Sequence, residues 1–274
     1  MTIDSHQHFW NYDPVKHSWI DDSMSIIRKD FLPNDLKTIL NENGVDGCIA
    51  VQADQSEIET QFLLDYASLN SFIKGVVGWV DLTSINIDSR LAHYALNPSF
   101  KGVRHIVQAE KNDYLLRKDV QNGIGKLRKY NLTFDLLIYP HQMSAAIELV
   151  EMLPDQIFIL DHLAKPNISK PISKEWELNI KKLSNNKNVS CKISGMVTET
   201  ENYQFRNNDF TPFLDVIFDS FGSDRIMFGS DWPVCLVASS YKKTIKIVND
   251  YLKNYSKKIK DNVMGLNALK IYNL

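Results

Sequence analysis

Short apolar runs recur along the chain, and each is followed by a longer stretch whose apolar positions repeat at intervals of three and four. The short runs read as eight strands: Ile3–His8, Asp46–Gln52, Gly75–Val80, Gly102–Val107, Thr133–Ile138, Ile157–Asp161, Val189–Ser194 and Ile226–Ser230. Most are continuous rather than alternating, the pattern of parallel strands covered by helices on their outer face. The longer stretches read as helices. Residues Ser56–Asn70 open with a Ser-x-x-Glu capping box formed by Ser56 and Glu59. Thr211 and Pro212 suit an N-cap and a first helical residue, and Phe213, Leu214, Ile217, Phe218 and Phe221 then share one face. Strand and helix alternating eight times predict an α/β fold, a (β/α)₈ TIM barrel, rather than a sandwich or bundle.

An open, doubly wound sheet is the main competitor. Its nucleotide-binding forms lose support because the chain has neither G-x-G-x-x-G nor G-x-x-x-x-G-K-[ST]. No linker or repeat divides the sequence, so residues 1–274 are expected to form a single barrel domain. Helix-to-strand connections are short. Two strand-to-helix connections are long, Phe9–Leu32 and Gly195–Asn208, and both mix aromatic with polar groups: Trp10, Tyr12, His17 and Trp19 in the first, Tyr203, Phe205 and Arg206 in the second. Strand-to-helix loops build the active face of a barrel, so these two are expected to wall a pocket.

Composition narrows the function. Apolar residues make up 44%, charged residues 23%, and the formal net charge is −2. No basic surplus favours nucleic acid or an anionic membrane. No apolar run reaches the roughly 18 residues of a membrane span. The first residues lack a basic region followed by an apolar core, so a cytoplasmic location is expected. Three cysteines without a C-x-x-C spacing do not suggest a disulfide framework or a cysteine metal site.

The candidate chemistry gathers at strand ends. His6 and His8 stand two apart in a strand and so face the same side. His162 follows the sixth strand and Asp231 the eighth. A lone histidine in such a place is more often structural, and Asp231 alone could cap a turn. Three strands delivering ionisable groups to one rim point instead to catalysis or to a divalent ion. No G-x-S-x-G elbow supports a serine nucleophile, and Cys235 reads as buried packing. Arg104, near the end of the fourth strand, reads either as a substrate-binding group or as half of a structural ion pair.

Asp4-Ser5-His6-Gln7-His8-Phe9-Trp10, Gly102-Val103-Arg104-His105, Asp161-His162-Leu163-Ala164-Lys165-Pro166 and Phe228-Gly229-Ser230-Asp231-Trp232-Pro233 together resemble the lactonase branch of the amidohydrolase superfamily. The tail Asn262–Tyr272 resembles the usual ending of these proteins. The resemblance implies a distorted TIM barrel that opens a small lactone. Asp231 would be the base that activates water, and His6, His8 and His162 would polarise the carbonyl. The region around Arg104 lacks the bridging lysine or glutamate of many superfamily members, which argues against a binuclear centre. The branch favours a centre requiring no cofactor. A single zinc ion on His6, His8, His162 and Asp231 is the alternative.

His141, just past the fifth strand, is assigned to the substrate lining together with Arg104, Tyr139, Lys165, Trp79, Trp232 and Trp10. The tryptophans suit core packing equally well. Only Arg104 is clearly placed to meet a carboxylate, with Arg28 and Arg206 in the loops, which favours a sugar-acid lactone such as L-fuconolactone over a dicarboxylated pyrone. The partner is then a small-molecule lactone, with no nucleic acid and no membrane, and a homo-oligomer is compatible with the sequence. The rival readings are a zinc-dependent decarboxylase on the same barrel and a non-catalytic ligand-binding barrel.

Overall fold

The computed structural model describes residues 1–274. Eight parallel strands stand in sequential order: β1 (Ile3–Gln7), β2 (Gly47–Val51), β3 (Ile73–Gly78), β4 (Phe100–Ile106), β5 (Thr133–Leu137), β6 (Phe158–Leu160), β7 (Val189–Ile193) and β8 (Ile226–Phe228). The helices between and after them are α1 (Pro33–Glu42), α2 (Glu57–Leu69), α3 (Ile87–Ala95), α4 (Lys118–Lys126), α5 (Met143–Met152), α6 (Lys174–Ser184), α7 (Thr211–Phe221) and α8 (Tyr241–Leu252). Two short helices, α9 (Lys257–Asp261) and α10 (Asn267–Ile271), end the chain. This is the expected distorted (β/α)₈ barrel. No helix is long and apolar enough to cross a membrane.

The seam between β8 and β1 is closed just beyond the regular strands. His8 N donates to Trp232 O at 2.7 Å, and Asp231 N donates to His6 O at 2.8 Å. Ser5 Oγ donates to Phe228 O at 2.6 Å. The hydrogen bonds that close the barrel therefore also bind the His6-x-His8 segment to the Asp231 segment.

Pairing of β1 with β2 slips by one residue between Asp4, opposite Cys48, and Gln7, opposite Ala50. An extra residue in a strand reorients the side chains beyond it. Strict alternation would put Asp4 on the same face as His6. Instead Asp4 accepts from Tyr241 Oη on α8 at 3.0 Å and from Ser230 N at 2.8 Å, while His6 faces inward among charged groups.

The core has two parts. A large outer cluster packs helices onto the strands. A small inner cluster joins Ile3, Ile49, Val51, Val77, Ile159 and Met227 to Ala268 of α10 and to Tyr272. These last two plug the end of the barrel remote from the long loops. Strands β6 and β8 are shorter than their apolar runs, because Asp161–Ala164 and Gly229–Asp231 leave the ladder and turn over the rim. At α2, Ser56 Oγ caps Glu59 N at 3.2 Å, but the Glu59 carboxylate does not return to Ser56. It accepts instead from Asp54 N at 2.7 Å and Ala53 N at 3.1 Å. Helix α7 includes Thr211, with Phe210 in the cap position.

Candidate active site

Asp231 sits within reach of all three imidazoles. Its Oδ1 lies 3.2 Å from His8 Nε2, 3.7 Å from His6 Nε2 and 4.0 Å from His162 Nε2. All four side chains are nearly inaccessible to solvent. The inward face of β1, the turn after β6 and the turn after β8 thus bring together the groups that the sequence placed at strand ends.

The two turns hold left-handed backbone. His162, Leu163, Ala164 and Lys165 have φ of 55°, 56°, 57° and 52°, and Asp231 has φ of 59°. Each such L-residue costs roughly 1–2 kcal/mol, and strain of this kind concentrates at functional sites. The arch is held by Lys165 N donating to His162 O at 2.7 Å and by Trp176 Nε1 donating to Leu163 O at 2.8 Å. A 2.5 Å ion pair from Lys165 to Glu199 secures its far end.

His162 also needs a residue without a side chain beneath it. Gly195 has φ of +61°, and a Cβ there would collide with His162 Nδ1. Gly195→Ala is expected to displace the ring and lower kcat about 10²-fold, the scale of a misplaced reacting group. A crystal structure of the variant should show the shift. Unchanged kinetics would mean that the position of His162 does not matter.

Below the imidazoles lies a buried ionic network that periodicity and motifs do not assign. Lys192 Nζ from β7 lies 2.5 Å from Asp135 Oδ2, 3.1 Å from Asp161 Oδ1 and 3.3 Å from His6 Nδ1. Tyr272 Oη donates to Asp135 Oδ2 at 3.0 Å. Arg104 donates to Asp161 Oδ2 at 3.2 Å, to Gln52 Oε1 at 3.0 Å and to the Gln52 carbonyl. Burial alone would raise the Asp161 carboxyl, but Lys192, His6 and Arg104 together hold it well below the usual range. Burial raises Asp135 against the pull of Lys192. The legible signal was a charged residue inside an apolar strand: Asp135 in Thr-Phe-Asp-Leu-Leu, and Lys192 in Val-Ser-Cys-Lys-Ile.

The hydrogen bonds fix how the imidazoles present themselves. His8 Nδ1 lies 2.8 Å from Val51 O, an acceptor only, so Nδ1 carries the proton. In its neutral form His8 therefore turns a bare Nε2 lone pair toward the Asp231 carboxylate. Two acceptors at 3.2 Å need a proton or a cation between them. Burial pushes His6 well below its ordinary value and His162 down to about 4, so both are neutral near pH 7. Burial would raise Asp231, but the three histidines hold it well below the usual carboxylate range.

These donors fit a divalent ion. Ligands at 2.0–2.1 Å around tetrahedral zinc stand about 3.3 Å apart, and the separations around Asp231 Oδ1 are 3.2 to 4.0 Å. Two sets of side chains meet ligand spacing: His6, His8 and Asp231, and His6, Asp161 and His162. Within the second, Lys192 and Arg104 already supply positive charge to Asp161. Arg104 Nη1 also lies 3.1 Å from His6 Nε2 and competes for that lone pair. This donor geometry does not support the expectation that no metal is required.

The centre opens into a cleft of about 520 Å³. His8, Arg104, Tyr139, His162, Lys165 and Asp231 line it. The first long loop adds Lys16, Ser18, Trp19 and Met24, and the second adds Thr198, Glu199 and Tyr203. Ser23 Oγ meets Tyr203 Oη at 3.1 Å, so the two loops touch across the mouth. The other residues assigned to the lining lie elsewhere. Trp10 is buried behind His8 with its Nε1 donating to Lys29 O at 2.9 Å. Trp232 packs edge-on against Phe9 and Phe31. Trp79 donates to His105 Nδ1 at 3.2 Å, and His105 contacts Glu110. His141 is exposed and stacks on Tyr139. Trp10 and Trp232 are buried and follow the packing alternative, whereas Trp79 is half-buried and turned to His105. Arg28 pairs with Asp22 and the Ile20 carbonyl, the Asp209 carboxylate accepts from the Arg206 backbone N–H, and neither arginine lines the cleft.

Glu59 carries a pH signature. Burial raises its carboxyl from 4.5 to about 8. The folded state then binds the proton more tightly than the unfolded chain. Its contribution to stability is full below about pH 4.5 and is lost as pH rises through about 8. In denaturant titrations, the stability difference between wild type and Glu59→Gln should change by at most about 1.4 kcal/mol per pH unit across this window. A pH-independent difference would show that Glu59 stays ionised.

A parallel barrel with three histidines and an aspartate converging at the C-terminal ends of its strands has the layout of a barrel enzyme's active face. The chain belongs to the amidohydrolase family, whose model matches residues 3–274. It is 33% identical over 240 residues to an L-fucono-1,5-lactonase of Burkholderia ambifaria, covering 87% of this chain and 82% of the relative. It is 32% identical over 265 residues to an L-fucono-1,5-lactonase of Burkholderia multivorans, covering 93% and 89%. A crystal structure of a Burkholderia multivorans amidohydrolase with bound zinc superposes with a TM-score of 0.96 at 31% identity, covering 100% of this chain and 99% of the other. A 2,6-dihydroxybenzoate decarboxylase from Rhizobium shares the fold, with a TM-score of 0.72 at 13% identity.

Proposed function

We propose that this chain is a carboxylic ester hydrolase that opens a sugar-acid lactone of the L-fuconolactone kind. The observation that carries this reading is the Asp231 carboxylate held against three imidazoles at the floor of the cleft. The two lactonase relatives, at 32% and 33% identity, give the substrate class. The decarboxylase reading is weaker, since such enzymes match here only in fold. A dicarboxylated substrate is also disfavoured. Arg104 is the one arginine lining the cleft, and Gln52, Asp161 and His6 already engage it.

Asp231, ionised at neutral pH, accepts a proton from water as the water oxygen bonds to the lactone carbonyl carbon. The ring C–O bond then breaks, and Asp231 returns the proton taken from water to the departing ring oxygen, which gives the hydroxy acid and restores the carboxylate. Arg104 is a permanent cation lining the cleft and opposes the negative charge that develops on the carbonyl oxygen. His6, His8 and Asp231 would hold a single divalent ion, which would supply polarisation of the carbonyl and acidification of water. The barrel acts as one unit over residues 1–274, since both the seam and the site join its two ends.

The test is acid release from a panel of aldonolactones by the purified protein, alongside metal content by mass spectrometry. Hydrolysis with about one zinc per chain supports the reading. Inactivity of metal-replete protein on every lactone, or release of carbon dioxide from aromatic acids, would overturn it.

A further inference from the structure

We infer that Asp54, Gln55 and Gln108 form a hydroxyl-reading wall, which selects a lactone bearing two adjacent ring hydroxyls. The inference rests on the lactonase reading above and concerns specificity within it.

All three residues line the cleft that contains His8, Arg104 and Asp231. Asp54 has no cationic partner within the chain, and its Oδ2 accepts from Ser56 Oγ at 2.8 Å. Its second oxygen is left for a ligand. Gln55 Oε1 accepts from Ile106 N at 2.8 Å, which fixes the amide and leaves its Nε2 to donate elsewhere. Gln108 Nε2 is buried without a hydrogen-bond partner. Such an orphan donor costs about 1–3 kcal/mol and in a native protein calls for an explanation. A ligand hydroxyl in the cleft supplies one.

The backbone carrying Asp54 and Gln55 is pinned. Arg104 clamps the side chain and carbonyl of Gln52, while Glu59 accepts from Ala53 N and Asp54 N. A rigid segment with one free carboxylate oxygen beside free amide donors matches a vicinal diol. One hydroxyl donates to Asp54, and the amides donate to the hydroxyl oxygens. Sites built to hydrogen-bond a hydroxyl reject analogues that lack it far more strongly than apolar pockets discriminate by size.

The experiment compares kcat/KM for a polyhydroxylated aldono-1,5-lactone and for unsubstituted δ-valerolactone in wild type, Asp54→Asn, Gln108→Leu and Asp231→Asn. Asp54→Asn and Gln108→Leu should each lose 10- to 100-fold on the hydroxylated lactone, mainly through KM, and less than threefold on δ-valerolactone. Asp231→Asn should lose both activities alike. Equal losses on the two lactones in the Asp54 and Gln108 variants, or no loss on either, would overturn the inference while leaving the lactonase reading intact. Failure of wild type to open any lactone would instead overturn the lactonase reading. Thermal melts of each variant identify a loss caused by misfolding. If Asp54→Asn does not fold, Gln108→Leu decides the question.

Discussion

Asp231→Asn is expected to lower kcat by about 10²–10⁴-fold, the usual contribution of a positioned general base, while KM changes little. The amide keeps the size of the carboxylate but cannot take a proton from water. The 2.8 Å hydrogen bond from residue 231 to His6 O belongs to the backbone, so the barrel seam survives the change. Stopped-flow acid release with a pH indicator gives kcat, and circular dichroism checks the fold. A variant retaining more than a tenth of the wild-type rate would remove Asp231 from the role of base and leave the cluster as a structural or ligand-binding feature. Metal content should be measured in parallel, because the same carboxylate oxygen stands at ligand distance from His8, His6 and His162. Loss of the ion together with loss of rate would assign Asp231 both functions.

Lys192→Met is expected to cost about 3–5 kcal/mol of folding stability, the usual result of leaving buried charges unpartnered. Lys192 is wholly buried, as are Asp135 and Asp161, the two carboxylates it joins at 2.5 and 3.1 Å. Methionine fills much of the same volume, so the loss reports charge rather than a cavity. Arg104 still serves Asp161, whereas Asp135 keeps only the Tyr272 and Thr133 hydroxyls. Combining Lys192→Met with Asp135→Asn should therefore recover a large part of the stability, and urea denaturation measures both. If the double variant is no more stable than Lys192→Met, the cost lies in packing, and the ionic account of the barrel floor is wrong. His6 depends on the same lysine at 3.3 Å, so activity in the double variant should remain below wild type even where stability returns.

Much of the site is legible in the sequence. Period-two geometry places His6 and His8 together, and their position after apolar runs marks His162 and Asp231. The β1 slip cannot be read there, since it shows only in pairing with β2. It moves Asp4 to the outer face, where Tyr241 receives it. The lining residues divide by a rule the sequence does not state. Tyr139 and Lys165 face the cleft, whereas Trp10 and Trp232 turn into the protein, Trp79 turns to His105 and His141 into solvent. An aromatic beside a strand end can point either way, and the loop that covers it decides. Asp135, Asp161 and Lys192 escape assignment because each looks like an isolated charge, and their partnership exists only across β5, β6 and β7.

The order of strands and helices, the strand ends that carry the histidines and the aspartate, and the family pattern were all local properties of the chain. They arise from periodicity and residue type, which need no knowledge of distant segments. Tertiary structure alone decided the left-handed arch at His162, the ionic floor beneath His6 and the pinned wall at Asp54. Each depends on atoms brought close from remote parts of the chain, and the strength of charge–charge contacts and hydrogen bonds depends on that distance and on the loss of water around them.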